Sequence, residues 1–97
     1  MRLTEEQARF YGDAGYVAID GVAPDEHVRA MRDRIEELCD AWDTDASRRL
    51  GMQQEAAVRG ALTEAQTGAT VRKFSGLVEH ESAFARHATD DILLDLV

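Results

Sequence analysis

Val28, Met31, Ile35, Leu38 and Trp42 recur at spacings of 3, 4, 3 and 4. Residues so spaced share one face of an α-helix, which predicts a helix of about four to five turns with one continuous apolar seam. Pro24 fits its first position, where the missing N–H costs nothing, and Asp25 and Glu26 follow in the first turn, where the helix dipole favours negative charge. Cys39 borders the seam. Arg29 with Asp33 and Arg32 with Glu36 occupy the opposite face at the four-residue spacing that supports an exposed surface. A helix with one apolar face must cover it. Coiled coils share this spacing, so the Val28–Trp42 seam is a candidate for self-association. Its length of only about two heptads, with mixed flanking charges, favours packing on the outside of a sheet.

The residues ahead of this helix read as two further elements. Thr4 followed by Gln7 is a capping-box pattern, with Glu5 and Glu6 in the first turn, and predicts a first helix over Glu5–Asp13. Ala8, Phe10, Tyr11 and Ala14 form its apolar side. Gly15 is placed to end it in the left-handed conformation that glycine takes without steric cost. Tyr16-Val17-Ala18-Ile19 is a short β-favouring run bounded by Gly15 and Asp20-Gly21. A strand this short needs a partner sheet. Residues 3–42 thus read as helix, strand, helix.

The remainder is less patterned. Asp43-Thr44-Asp45 stops the second helix or caps the next element. Residues 43–70 read as a variable helix or partly ordered connection: Met52 to Gln66 accepts helix, with Val58, Leu62 and Ala65 as a sparse stripe, while Gly51, Gly60 and Gly68 oppose a rigid element. In 71–97, Val71 to Val78 holds a short extended segment with Phe74 and Leu77 as burial points. Glu81 to Val97 is a final helical region with Phe84, Ala88, Leu93, Leu94 and Val97 as apolar members, and Thr89 caps a last helix starting at Asp90. The chain ends within that apolar pattern, without a helix stop signal.

Composition narrows the function classes. With 97 residues, 44% hydrophobic and 31% charged, the chain makes one partial domain over 1–97 whose core is limited by six aromatics. The net charge of −8, without a basic cluster larger than Arg48-Arg49, excludes the footprint a nucleic acid requires and disfavours an anionic membrane. One cysteine permits no intrachain disulfide, and no apolar run has signal-peptide or membrane-span length. The cytoplasm is the default compartment.

Few residues suggest chemistry. His80 and His87 are seven apart, sharing a face if helical, with Glu81, Asp90 and Asp91 nearby. Such groups are competent metal ligands, but the spacing is loose and solvated polar residues are the preferred reading. Cys39 has no histidine near it in sequence, so it reads as a small buried hydrophobe rather than a nucleophile. Gly12, Gly15 and Gly21 lack the Lys-Ser/Thr of a phosphate loop and read as turn and cap residues. The residues therefore supply no catalytic, cofactor-binding or metal site.

Leu3-Thr4-Glu5-Glu6-Gln7, Phe10, Gly15-Tyr16-Val17-Ala18-Ile19, Pro24-Asp25-Glu26 and Ile35-Glu36-Glu37-Leu38 resemble the N-terminal region of the phytanoyl-CoA dioxygenase family. Phe74-Ser75-Gly76-Leu77 and Phe84 to Val97 resemble the segment that next leads into that family's core. The likeness covers most of the chain apart from roughly 43–70. It implies a non-haem Fe(II) and 2-oxoglutarate dependent dioxygenase, a hydroxylase built on a double-stranded β-helix. There His-x-Asp and a distal His hold iron and leave positions open for the keto acid and dioxygen. This chain has no His-x-Asp; none of His27, His80 and His87 matches a ligand position. The expected fold class is α+β, mainly helical: N-terminal helices plus one or two short strands of a truncated jelly roll, which needs about eight. The expected role is that of an N-terminal fragment or truncated gene product supporting a catalytic core, with the missing C-terminal β-helix as partner, Fe(II) and 2-oxoglutarate belonging to the full-length parent, and no catalysis of its own. The alternative is a small acidic helical interaction module without enzymatic activity.

Overall fold

The computed structural model describes residues 2–59 and 65–96. Helix α1 spans Glu5–Ala14, and its start is the expected capping box: the Gln7 N–H donates to Thr4 Oγ1 at 3.1 Å and the Thr4 N–H to Gln7 Oε1 at 2.9 Å. Gly15 closes it with φ +83°, its N–H donating to the Tyr11 carbonyl. The expected strand Tyr16–Ile19 does not form. The segment is unpaired, because a strand exists only as part of a ladder and no other strand runs beside it among the described residues. Tyr16 instead sets its ring edge-on to Phe10, with centroids 5.4 Å apart.

Helix α2 spans Asp25–Asp40, one residue later than expected at its start. Pro24 precedes the helix as its N-cap, and its carbonyl accepts from the His27 and Val28 N–H groups. The helix ends before Trp42, which lies in the following turn with its N–H on the Cys39 carbonyl. Of the five seam residues only Leu38 is buried; Val28, Met31, Ile35 and Trp42 are half-buried.

The connection 43–70 contains more order than its glycines suggested. Helix α3, Asp45–Arg49, folds back under the end of α2, and Leu38, Leu50 and Ser47 are each exposed by no more than 1%. Ser47 Oγ donates to the Leu38 carbonyl at 2.8 Å, joining α3 to α2 inside the core. The helix expected from Met52 to Gln66 is replaced at its start by strand β1, Gln53–Gln54, and a turn over 56–59. Leu62 and Gly60, like Val97, lie outside the described residues. Strand β2, Val71–Lys73, pairs antiparallel with β1, Gln53 opposite Lys73 and Gln54 opposite Val71, with an irregularity between. Gln54 of β1 is buried with its side chain hydrogen-bonded: its Nε2 donates to the Thr67 carbonyl and its Oε1 accepts from Thr70 Oγ1.

A 3-10 turn over Gly68–Thr70 leads into β2 and packs on the C-terminal end of α2. A Cβ at Gly68 would lie 2.7 Å from the Cys39 carbonyl oxygen, so only glycine permits this approach. The extended segment expected over Val71–Val78 is strand only to Lys73, and Leu77 and Val78 are helical; the final region is three short helices, α4 (Leu77–His80), α5 (Ser82–Ala88) and α6 (Asp91–Leu94). α5 packs on both α4 and α2. The last helix is capped by Asp90 rather than Thr89: Asp90 Oδ1 accepts from the Ile92 N–H, while the Thr89 hydroxyl is spent on the Ala85 carbonyl at the end of α5.

The described residues are thus mainly helical, with one short two-stranded antiparallel sheet. The radius of gyration is 17.4 Å and the extents are 54 × 27 × 20 Å. A compact domain of this length would have a radius near ~12.5 Å. α1 buries none of its residues.

Candidate functional site

Several polar side chains meet where α5 packs on α2. His27, on the first turn of α2, is 6% exposed, and its Nδ1 stands 3.3 Å from Nδ1 of His87 on α5. The rings meet edge to face, with centroids 5.5 Å apart and an interplanar angle of 81°. Asp90 Oδ2 lies 3.9 Å from the same His27 nitrogen, and Glu26 Oε1 lies 4.0 Å from His27 Nε2. Arg86 Nη2 approaches Glu26 at 3.8 Å, and an open cleft beside the pair is lined by His27, Ala30, Ser82, Ala83 and Arg86.

Further along the same helix pair, Arg34 forks onto Glu81, with Nε to Oε2 at 2.7 Å and Nη2 to Oε1 at 3.0 Å; its Nη1 reaches Glu37 at 2.9 Å. The hydrogen bonds to Glu81 and then Glu37 hold the guanidinium firmly charged, and the bond from Arg34 pulls the Glu81 carboxyl below its ordinary range. Glu81 sits at the break between α4 and α5, so this fork fixes the corner and with it the angle at which α5 meets α2.

The histidines expected to share a helical face do not. His80 closes α4 and His87 lies on α5, with the non-helical Glu81 between the two helices. His80 has Glu79 at 4.0 Å, whereas His87 turns to His27. Asp91 opens α6. Burial, then the nearby Asp40 and Glu36 carboxylates, push the Cys39 thiol up, the reverse of what a nucleophile needs. Gly12 lies within α1, Gly15 caps it and Gly21 sits in a turn with φ +74°. None of the three cradles an anion at a helix start.

The donor set does not suit an iron facial triad. His27 and His87 direct the same kind of nitrogen at one another, Asp90 caps α6 with one oxygen, and Glu81 is held by Arg34. Among the described residues no group of three or more His, Cys, Asp or Glu is arranged to hold a metal ion. No helix among them is long and apolar enough to cross a membrane. Two of the pairings between α2 and the last helices, His27–His87 and Arg34–Glu81, are hydrogen-bonded contacts that the sequence reading does not reach. One signal was present: His27 lies four residues before Met31 and Arg34 three after it, so both border the seam.

Comparison with known proteins agrees with the resemblance read from the sequence. The family model for phytanoyl-CoA dioxygenase (PhyH) matches residues 11–97. Phytanoyl-CoA dioxygenase 1 of Oryza sativa subsp. japonica is 49% identical over 41 residues, a stretch covering 42% of this chain and 15% of the rice protein. This chain therefore spans only a small part of that relative's length. No solved structure matches it.

Proposed function

The chain belongs to the phytanoyl-CoA dioxygenase family, and from that membership we propose that it is the N-terminal structural layer of an Fe(II) and 2-oxoglutarate dependent dioxygenase, supporting a catalytic core and not catalytic by itself. The core is a double-stranded β-helix formed by the same protein. It supplies the iron ligands, His-x-Asp and a distal His, and the group that holds the keto acid; in such a site two imidazoles and a carboxylate leave iron positions open for 2-oxoglutarate and dioxygen. This chain's residues take no part in the oxidation. α2 packs on the outside of the core and Tyr16–Ile19 completes an edge strand there.

The observation that carries this reading is the mismatch between apolar side chains and core. Among the described residues Leu38 and Leu50 are the buried hydrophobics, while Phe10, Tyr11, Tyr16, Val78 and Leu94 are 45–64% exposed. Single exposed apolar residues are ordinary, but here three of the five sit together on α1 and the unpaired segment after it. Leu3, Tyr11, Val17, Ile19 and Leu96 line one groove there, and Glu6, Gln7, Phe10, Tyr16, Val17 and Ala18 line a second. A chain that shows apolar residues on an unpaired β-favouring run fits a surface waiting for a sheet.

The test is to read the coding sequence beyond Val97 and assay the encoded longer polypeptide for 2-oxoglutarate-dependent release of succinate. A downstream His-x-Asp with a distal His, and succinate formation that the 97-residue chain lacks, is the expected result. A stop codon followed by unrelated sequence, with a stably folded 97-residue monomer, overturns it.

A further inference from the structure

The His27–His87 contact depends on how many protons the two rings carry. Two imidazole nitrogens 3.3 Å apart form a hydrogen bond only if one bears a proton and the other offers its lone pair. In the neutral pair one ring carries its proton on Nδ1 and donates; the other carries its proton on Nε2 and accepts through Nδ1. A first added proton goes to the free Nε2 of the donor ring, and the Nδ1–H···Nδ1 bond persists with a charged donor. A second proton has only the accepting Nδ1 to occupy. That removes the lone pair, and two N–H groups and two positive charges then face each other across the interface.

We propose that His27 and His87 form an acid-opened latch between α2 and α5, closed while at most one of the rings is charged and released when both are. The charged groups around the pair come from every element packed on it. Glu26 on α2 lies 4.0 Å from His27 Nε2, and Asp90, at the junction of α5 and α6, lies 3.9 Å from His27 Nδ1. Arg86 on α5 is 3.8 Å from Glu26 and adds a positive charge to the same corner. The two carboxylates accommodate the first proton and offset part of the repulsion from the second, but they cannot restore the lost acceptor. Asp90 is also positioned to take the His27 Nδ1–H once the rings part. His27 is nearly excluded from water and His87 half-buried, so in a doubly charged pair the charge on His27 has little solvent to stabilise it in place.

The direction comes from counting protons. The open state binds two and the closed state one, so lowering the pH shifts the equilibrium towards opening, up to about tenfold per pH unit where imidazoles charge. The Arg34–Glu81 fork lies further along the same helix pair and keeps its charges throughout that range, so α5 loosens at its His87 end while its start remains tethered.

The experiment uses the polypeptide as its gene encodes it, including any residues beyond Val97, labelled with ¹⁵N. At about pH 7.5 a scalar coupling between the Nδ1 atoms of His27 and His87 is expected across the hydrogen bond, and it disappears by about pH 5. Over the same range the protection factors of amides in Phe84–Ala88, corrected for intrinsic exchange, fall relative to those of Leu38 and Ser47. In His87→Phe, which keeps an aromatic ring against His27 and cannot take up a proton, the protection of α5 responds less steeply to pH, because only His27 remains to charge. Absence of the coupling at about pH 7.5 overturns the proposal, as does α5 protection that is flat across the range or an acid response unchanged in His87→Phe.

Discussion

At the scale of single residues, the small core concentrates stability in few side chains. Leu38 is 1% exposed and Ser47 fully buried, so truncating either is felt directly. Leu38→Ala is expected to cost about 2–5 kcal/mol through lost burial and the cavity left behind. Ser47→Ala removes the donor to the Leu38 carbonyl and is expected to cost ~1 kcal/mol. Urea denaturation followed by circular dichroism checks both, and a midpoint unchanged in Leu38→Ala would remove this residue from the core. Glu81 has a different signature. Its carboxyl is held below the ordinary glutamate range by Arg34, so the folded state binds fewer protons than the unfolded state. The stabilisation is therefore complete above about pH 5 and is lost as the pH falls through and below the ordinary glutamate value of about 4.3. Because Arg34 is 35% exposed, solvent screening reduces the pair's contribution to ~1 kcal/mol. Glu81→Gln is expected to lose that amount at neutral pH and much less at about pH 3, a convergence measurable by denaturation at the two values.

At the scale of elements, local signals and close approaches decided different things. α1 formed almost where Thr4, Gln7 and Gly15 placed it, because its cap partners lie within the same turn. Thr4→Ala is expected to shorten the helix by a turn and to cost ~1 kcal/mol of helix stability, measured as a loss of helical Cα chemical shifts over Glu5–Ala8. The glycines of the connection 43–70 suggest a loose segment, yet Gly68 is required where the chain passes close to the Cys39 carbonyl of α2. Gly68→Ala places a Cβ against the Cys39 carbonyl and is expected to destabilise by about 1–3 kcal/mol, with chemical-shift changes confined to Cys39, Asp40 and Thr67–Thr70. A mutant as stable as the parent would mean that the 3-10 turn yields without cost. The segment Tyr16–Ile19 shows the opposite limit. Its composition favours a strand, but a ladder needs a second chain segment, and composition cannot supply one.

At the scale of the whole molecule, most described apolar side chains are only partly covered, and the protection pattern should show it. Amide exchange is expected to be slow in the second half of α2 and in α3, and fast through α1 and Tyr16–Ile19. Strong protection across the whole of Val28–Trp42 and the last helices in the isolated chain would instead favour a self-sufficient helical module over a layer that awaits its core. What the sequence determined by itself was local: the capped first helix, the seamed second helix, the extended run near Val71, the helical character of the last residues and the family likeness carried by those stretches. Each depends on partners within a few positions, where spacing fixes geometry. Only the tertiary structure decided that Gln54 pairs into a two-residue strand, that Arg34 grips Glu81, and that His27 meets His87 rather than His80 standing beside it. Those partners (Gln54 with Val71, Arg34 with Glu81, His27 with His87) lie 17, 47 and 60 residues apart, and no periodicity encodes a contact made by folding one segment across another.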